Sequence, residues 1–394
     1  MRTLEKYLIV AYFFLCPLEI ALNIVFTSTT KYIGVLMIAV YLMKLLYGMD
    51  LKLNITRHVG SLLLWIASCA LTFIWGSVST KTYGYMITYL EMSVMVIICT
   101  YEKWSSDEIS LFTATYCIGS VVTAGAVILL GGAKFYGRET IEIFGQYCDP
   151  NQLAANIVPG TVILIHYLTS TKTKFFVRLI SLPALLLSVY AVLITASRGG
   201  LLSILAALVV VILSKLSSHE IKISSGILIF MIGAIALHFL PQVASERLLK
   251  FDTYTDTYAS GRSRLTIWGG LLSDFDTTWI IGHGVGSTIS YFQMLYGKIL
   301  GVHNTFLLVL YEVGIVGFVL FIYPYVSLII YHFKEKNTEI VSLIVGALVS
   351  SFFLDSLNLR YLWNGLILGI MLYNINNETD EPEIYSRKKC KYFL

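Results

Sequence analysis

The sequence predicts an all-α polytopic membrane protein of about 12 transmembrane helices with one long extracytoplasmic loop. Three observations predict it. Of 394 residues, 57% are hydrophobic and only 13% charged, against roughly a quarter charged in a soluble domain, and mean hydropathy is +0.75. Apolar windows long enough to cross about 30 Å of hydrocarbon recur along the whole chain. One long polar stretch interrupts them, from about Pro241 to His303.

In chain order the windows are 7–26, 32–48, 58–76, 83–101, 109–131, 152–169, 175–195, 199–215, 223–240, 314–333, 338–356 and 361–376. The first follows Arg2, Glu5 and Lys6 and runs to about Phe26 with no small-residue cleavage site. It therefore reads as a membrane helix and not as a removed signal peptide. Only Ala196-Ser-Arg-Gly-Gly200 separates 175–195 from 199–215, a tight turn at a membrane face. Residues 1–376 are expected to form a single integral membrane domain, with its extracytoplasmic loop at about 241–303. Residues 377–394 form a polar cytoplasmic tail, solvated or held against lipid by Arg387-Lys-Lys389. There is no internal repeat.

Basic residues orient the chain. With the N-terminus inside, 17 of the 28 lysines and arginines fall in inner segments. The short outer loops hold only six, Lys31, Lys81, Lys134, Arg138, Arg198 and Arg360. Both termini are then cytoplasmic. The long loop, the Arg198 turn and Asp149-Pro-Asn151 all face outward. A net charge of +4 gives no reason to invoke nucleic acid. Of six cysteines, Cys16, Cys69, Cys99 and Cys117 lie in apolar runs, Cys148 near a segment end and Cys390 in the tail. That spacing makes neither a disulfide framework nor a zinc site.

Several residues on the outer side suit chemistry. Arg198 either snorkels to lipid phosphate or offers a guanidinium fork to a phosphorylated lipid ligand, with Gly199 and Gly200 leaving room for its approach. Arg262 and Arg264 would point to the same side of an extended segment. A helix starting near Ser263 would put Arg264 and Trp268 on one face, making Trp268 a possible platform for a sugar ring. The plainer reading of the arginines is surface pairing with Asp252, Asp256, Asp274 or Asp276. His303 leads the apolar run Phe306-Leu-Leu-Val-Leu310 and can take a proton from a hydroxyl, or can serve only as a hydrogen-bonded interfacial residue. Glu312 is about half a helical turn out of phase with it. His58, His166, His219, His238 and His332 read as structural or interfacial. Asp274-Phe-Asp276 resembles the metal-binding pair of nucleotide-sugar transferases, but no nucleotide sugar is expected outside the membrane. Gly282-His-Gly-Val-Gly286 lacks the Lys-Ser/Thr of a phosphate loop and reads as a turn.

Taken in order, Asp149-Pro-Asn-Gln152, Thr195-Ala-Ser-Arg-Gly-Gly200, Ser260-Gly-Arg-Ser-Arg-Leu-Thr-Ile-Trp268, Ile281-Gly-His-Gly-Val-Gly286, Val302-His-Asn-Thr-Phe306 and Glu312-Val-Gly314 resemble the bacterial O-antigen ligase and polysaccharide polymerase superfamily. The detailed resemblance covers about 145–320. It implies a GT-C-like membrane glycosyltransferase whose donor is a glycan on undecaprenyl diphosphate, with no metal and no cofactor. It further implies that Arg198 and Arg264, assisted by Arg262, hold the diphosphate, and that His303 is the acceptor-side base. Trp268, Asp149, Asn151 and Asn304 are the remaining substrate-binding candidates. Membrane lipids, a flippase and a chain-length regulator are the partners implied. The acceptor expected is another lipid-linked repeat unit, making a polymerase; a lipopolysaccharide core acceptor would make a ligase. A transporter of similar helix count would show related halves with midplane polar residues, a pattern absent from this sequence.

Overall fold

A computed structural model describes residues 2–26, 29–47, 55–76, 80–135, 138–216, 264–274 and 277–377. Arg262, most of the long loop, the window 223–240 and the tail from 378 lie outside the described residues. Helices α1 (Arg2–Leu15), α2 (Glu19–Val25), α3 (Thr29–Leu46), α4 (Arg57–Leu71), α5 (Thr80–Thr100) and α6 (Ser106–Leu129) precede two small hairpins. Then come α7 (Pro150–Thr169), α8 (Phe175–Ile194), α9 (Arg198–Leu216), α10 (Arg264–Ser273), α11 (Ser287–Tyr296), α12 (Thr305–Lys334), α13 (Thr338–Phe352) and α14 (Arg360–Asn377).

Helix starts follow local chemistry. Ser105 and Glu108 close a capping box on α6, and Thr56 Oγ1 accepts the Val59 N–H to start α4. Among the described residues, seven helices are long and apolar enough to cross a membrane, and an eighth if α1 and α2 count as one bent span. Helices α9 and α13 are apolar but shorter. The described residues thus support a polytopic membrane protein and do not reach the expected twelve spans. The first window is not one straight helix: α1 and α2 meet at 92° across Cys16–Leu18, where Pro17 opposes continuation.

Helix α7 lies centrally, packed on α6, α8, α9 and α13. The α6–α7 approach is close: a methyl on Gly160 would sit 2.3 Å from Ser120 Cβ. Such small-residue contacts drive helix association where lipid removes the hydrophobic incentive. Helix α14 is buried over nearly all of its first thirteen residues.

Two corrections to the expected all-α fold bear on function. First, 133–147 forms two antiparallel hairpins, β1 (Ala133–Phe135) with β2 (Arg138–Thr140) and β3 (Glu142–Ile143) with β4 (Gln146–Tyr147). The second turns through Phe144 and Gly145, both at positive φ, 51° and 77°, as a two-residue hairpin turn requires. Second, α12 begins nine residues before the window 314–333 and is broken at Gly314 (φ 75°, ψ −177°). The freed carbonyls of Tyr311 and Glu312 accept the N–H groups of His283 (3.0 Å) and Gly284 (2.9 Å). Backbones approach so closely there that a methyl on Gly282 would lie 2.4 Å from Glu312 O, and one on Gly314 2.4 Å from Ile280 O. Interchain-like pairing of this kind satisfies non-helical backbone at the membrane edge, and it is why both motifs need glycine.

Candidate functional site

One end of the bundle gathers most of the residues singled out from sequence. Asp149 is the N-cap of α7, its Oδ1 accepting from Asn151 N (2.7 Å) and Gln152 N (3.1 Å), and Pro150 takes the first helical position. The Asp-Pro-Asn motif is therefore first a helix start. It places the Asn151 side chain, whose Oδ1 accepts from Arg138 Nη2 at 2.7 Å and from Ser197 Oγ at 3.2 Å. Arg138, buried on β2, also donates from Nε to Thr195 O at 2.8 Å. Its planar fork thus ties α7 to the turn that carries Arg198.

That turn passes through Ala196 at φ 49°. Ser197 Oγ accepts the Gly200 N–H at 3.2 Å, which starts α9. Arg198 is the first residue of α9 and half-buried. Gly199 and Gly200 are taken up by packing: a methyl on Gly199 would meet Phe353 Cβ at 3.0 Å, and one on Gly200 would meet Ala154 Cβ at 2.9 Å. The room foreseen there for a ligand is therefore small: alongside lies a narrow cleft of about 10 Å³, the size of one water, lined by Asn151, Ser197, Gly199, Gly200, Phe353 and Leu354.

The far wall of the cleft leads to His303. The window 338–356 was expected to be one span, but α13 stops at Phe352, and the connection 353–359 packs onto the start of α12. Leu354 O accepts from Thr305 Oγ1 (2.6 Å), Thr305 Oγ1 accepts from Ser356 N (2.7 Å), and Asp355 Oδ1 accepts from Asn304 N (3.2 Å). Asn304 is the N-cap of α12, its Oδ1 accepting from Phe306 N and Leu307 N, both at 3.0 Å. His303 is held half-buried at φ 53°, an unusual backbone for a non-glycine residue. A methyl on Gly301 would lie 2.7 Å from Asp355 Oδ2 and 3.5 Å from His303 Nε2. The carboxylate and the imidazole therefore flank one point.

Arg264 is the first described residue of the loop helix α10; the expected start near Ser263 lies outside the described residues. One turn on, Trp268 donates from Nε1 to Val302 O (2.9 Å), the residue before His303, and its ring meets Phe352 edge-on at 5.6 Å. Helix α10 buries Ile267 and Leu271 against Phe292, Val302, Leu307 and Tyr311. Arg264 and His303 are thus carried by elements pinned to each other.

Three functional candidates escaped the sequence reading. Arg138 stood there only as an outer-loop cation, and Asp355 was hidden inside an apolar window, where a lone acid was its one signal. His283 stacks on Tyr311 at 4.2 Å with ring planes 8° apart, and bonds Thr278 Oγ1 from Nε2 at 2.9 Å. Tyr311 Oη donates to Asp274 Oδ2 at 2.6 Å, so Asp274 braces α12. Glu312 accepts from Thr288 Oγ1 at 2.6 Å, away from His303, as its helical phase implied. Burial, with the Asp149 charge adding, pushes the Cys148 thiol up to about 11, which leaves it a poor nucleophile beside the site. Among the described residues, no three His, Cys, Asp or Glu side chains gather as metal ligands.

Residues 183–322 match the sequence profile of the family described as O-Antigen ligase. This segment contains Arg198, Arg262, Arg264, Trp268, His303 and Asn304, while Arg138, Asp149, Asn151 and Asp355 flank it. A Rickettsia felis protein named "Putative polysaccharide ligase" is similar to this chain, 27% identical over 247 residues. The alignment covers 59% of this chain and 54% of that protein, so the chain spans about half the length of the curated relative it matches.

Proposed function

We propose that this chain, a member of the O-antigen ligase and polysaccharide polymerase superfamily, is a polymerase acting on the outer side of the cytoplasmic membrane. It transfers a glycan from undecaprenyl diphosphate onto a hydroxyl of another lipid-linked repeat unit. The observation that carries this reading is the cleft between the Ser197–Gly200 turn and the segment Phe353–Asp355 that buttresses the His303 turn.

The acceptor hydroxyl oxygen attacks the anomeric carbon and gives its proton to the His303 imidazole. The bond from the anomeric carbon to the diphosphate oxygen breaks, and its electron pair leaves with undecaprenyl diphosphate. Arg198 and Arg264, with Arg262 assisting, neutralise the charge that develops on the diphosphate. Asp355 stabilises the imidazolium as it forms. Arg138 and Asn151 hold the Arg198 turn in place, and Trp268 holds the Val302–His303 turn. A flippase that delivers the lipid-linked unit and a chain-length regulator are the partners such a reaction calls for.

A second reading has a specific observation in its favour. The relative's name and the family's description both say ligase, for which the acceptor would be a lipopolysaccharide core sugar. The test incubates purified protein with lipid-linked repeat units alone and sizes the products on a gel. A ladder supports the polymerase. Product that forms only after core lipid is added supports the ligase, and no product in either case overturns both.

A further inference from the structure

The segment from Arg264 to Ile299 presents two apolar faces, and among the described residues only one is covered. Helix α10 has no charge after Arg264. Its inner face buries Ile267 and Leu271, while Leu265 and Leu272, seven apart and so on one opposite stripe, are 70% and 57% exposed. On α11, Met294 is 75% exposed although Phe292 is buried. The connection between them exposes Trp279, Ile280 and Ile281 in succession. A soluble surface rarely shows so continuous an apolar patch without a partner.

The fold says where this patch lies. Trp75 donates from Nε1 to Gly282 O at 2.9 Å, and Thr72 Oγ1 accepts the Val285 N–H at 3.1 Å. Both anchors sit at the end of the membrane-spanning stretch Arg57–Ile74. The exposed Trp279–Ile281 run therefore continues directly from Ile74 and Trp75, themselves exposed at the end of that span. Tryptophans at the ends of spans mark the lipid–water boundary. Arg264 begins the segment and the exposed Lys298 closes it, cations placed where phospholipid phosphates would lie.

We infer that α10, α11 and the turn between them form a lipid-contacting surface, lying in the plane of the membrane with Leu265, Leu272, Trp279 and Met294 dipped into the acyl boundary of the adjacent leaflet. Amphipathic helices bind lipid in this way when their apolar side is buried only about 5–10 Å deep. The surface sets Arg264 at headgroup level, the depth at which any lipid-borne phosphate is met. It rests on the membrane span and not on the transfer reaction.

Full-length protein, with Cys390→Ser and its described cysteines all buried, would carry Leu272→Cys or Met294→Cys labelled with an environment-sensitive dye. It would be reconstituted at one copy per phospholipid nanodisc. Glu142→Cys, exposed on the β3 hairpin, is the water-facing control. The expected result is quenching by lipids spin-labelled near the headgroup, and iodide quenching several-fold weaker than at the control position. Iodide quenching equal to the control, with no effect of spin-labelled lipid, would overturn the proposal. Protection that appears only with two copies per disc would also overturn it, since a second copy would then cover the face. The readout uses no transfer activity, so failure of the polymerase assay leaves this result intact.

Discussion

Lys44 and Arg198 are both cations at the ends of apolar helices, yet the fold treats them in opposite ways. Lys44, in the last turn of α3, is sealed among Glu5, Glu102 Oε1 at 2.6 Å and Tyr101 Oη at 2.9 Å, its side chain only 5% exposed. Arg198 stands half-buried between Ser197 and Gly199, two residues that line an open cleft. Leu354 lines the far side of that cleft, and the next residue, Asp355, accepts the Asn304 N–H beside His303. The closed node spends its charge on joining α1, α3 and the α5–α6 connection. The cleft end instead sets the Arg198 turn beside a space lined by Asn151, Ser197, Gly199 and Gly200. A buried charge that is fully paired argues for structure, and one set beside a cleft argues for a ligand.

Substitutions at the two ends should separate these roles. The largest effect is expected for His303→Ala: product formation falls by about 10²–10⁴-fold, while membrane insertion and thermal stability stay as in the wild type. Full activity in this variant would remove His303 as the base. At the closed node, Lys44→Ala leaves the buried Glu5 without its counter-charge, with only the Tyr101 hydroxyl donating to it, and is expected to lower stability by about 3–5 kcal/mol, measured by denaturation in detergent. Activity per folded molecule should be unchanged. A Lys44→Ala protein that is stable but inactive would break the comparison.

Two smaller changes probe how the cleft is built. Asp355→Asn keeps an acceptor for the Asn304 N–H but removes the charge beside His303. It should lower kcat roughly tenfold or more, with little change in KM. Wild-type kcat would show that Asp355 only shapes the loop. Arg138→Lys keeps the charge but loses the fork that reaches Thr195 O and Asn151 Oδ1 together. It is expected to lower kcat/KM for the lipid-linked donor about tenfold, and stability by about 1–3 kcal/mol.

The sequence revealed several of the apolar windows, the helix that carries Arg264 and Trp268, and the gathering of Asp149, Arg198 and His303 at one end, because these depend on local pattern and on topology. Asp355 escaped because a hydropathy window runs smoothly through a helix end that only its contacts with Thr305 and Asn304 define. The link of Arg138 to Asn151 and Thr195 escaped because it needs two hairpins that short, polar, glycine-punctuated sequence does not announce. The break at Gly314 was invisible for a similar reason. Its cause is the crossing of Gly282–Gly284, some thirty residues earlier in the chain, over carbonyls that an unbroken helix would use itself.

Trp268 tests the finest distinction, whether this end binds sugar directly or positions the residues that do. As a platform, the residue would act through its ring face; as a buttress, it acts through Nε1 on Val302 O. Trp268→Phe keeps an aromatic face and removes only the donor, so the two roles predict different outcomes. The hydrogen bond is worth about 1 kcal/mol, roughly fivefold. If Trp268 is a buttress, that loss should appear in kcat, because the turn carrying His303 loosens. If it is a platform, kcat should hold and KM for the glycan acceptor should move instead. The contact with Phe352 at 5.6 Å already occupies one side of the indole, which favours the buttress. A Phe variant with kcat unchanged and KM raised would return Trp268 to the sugar-binding role.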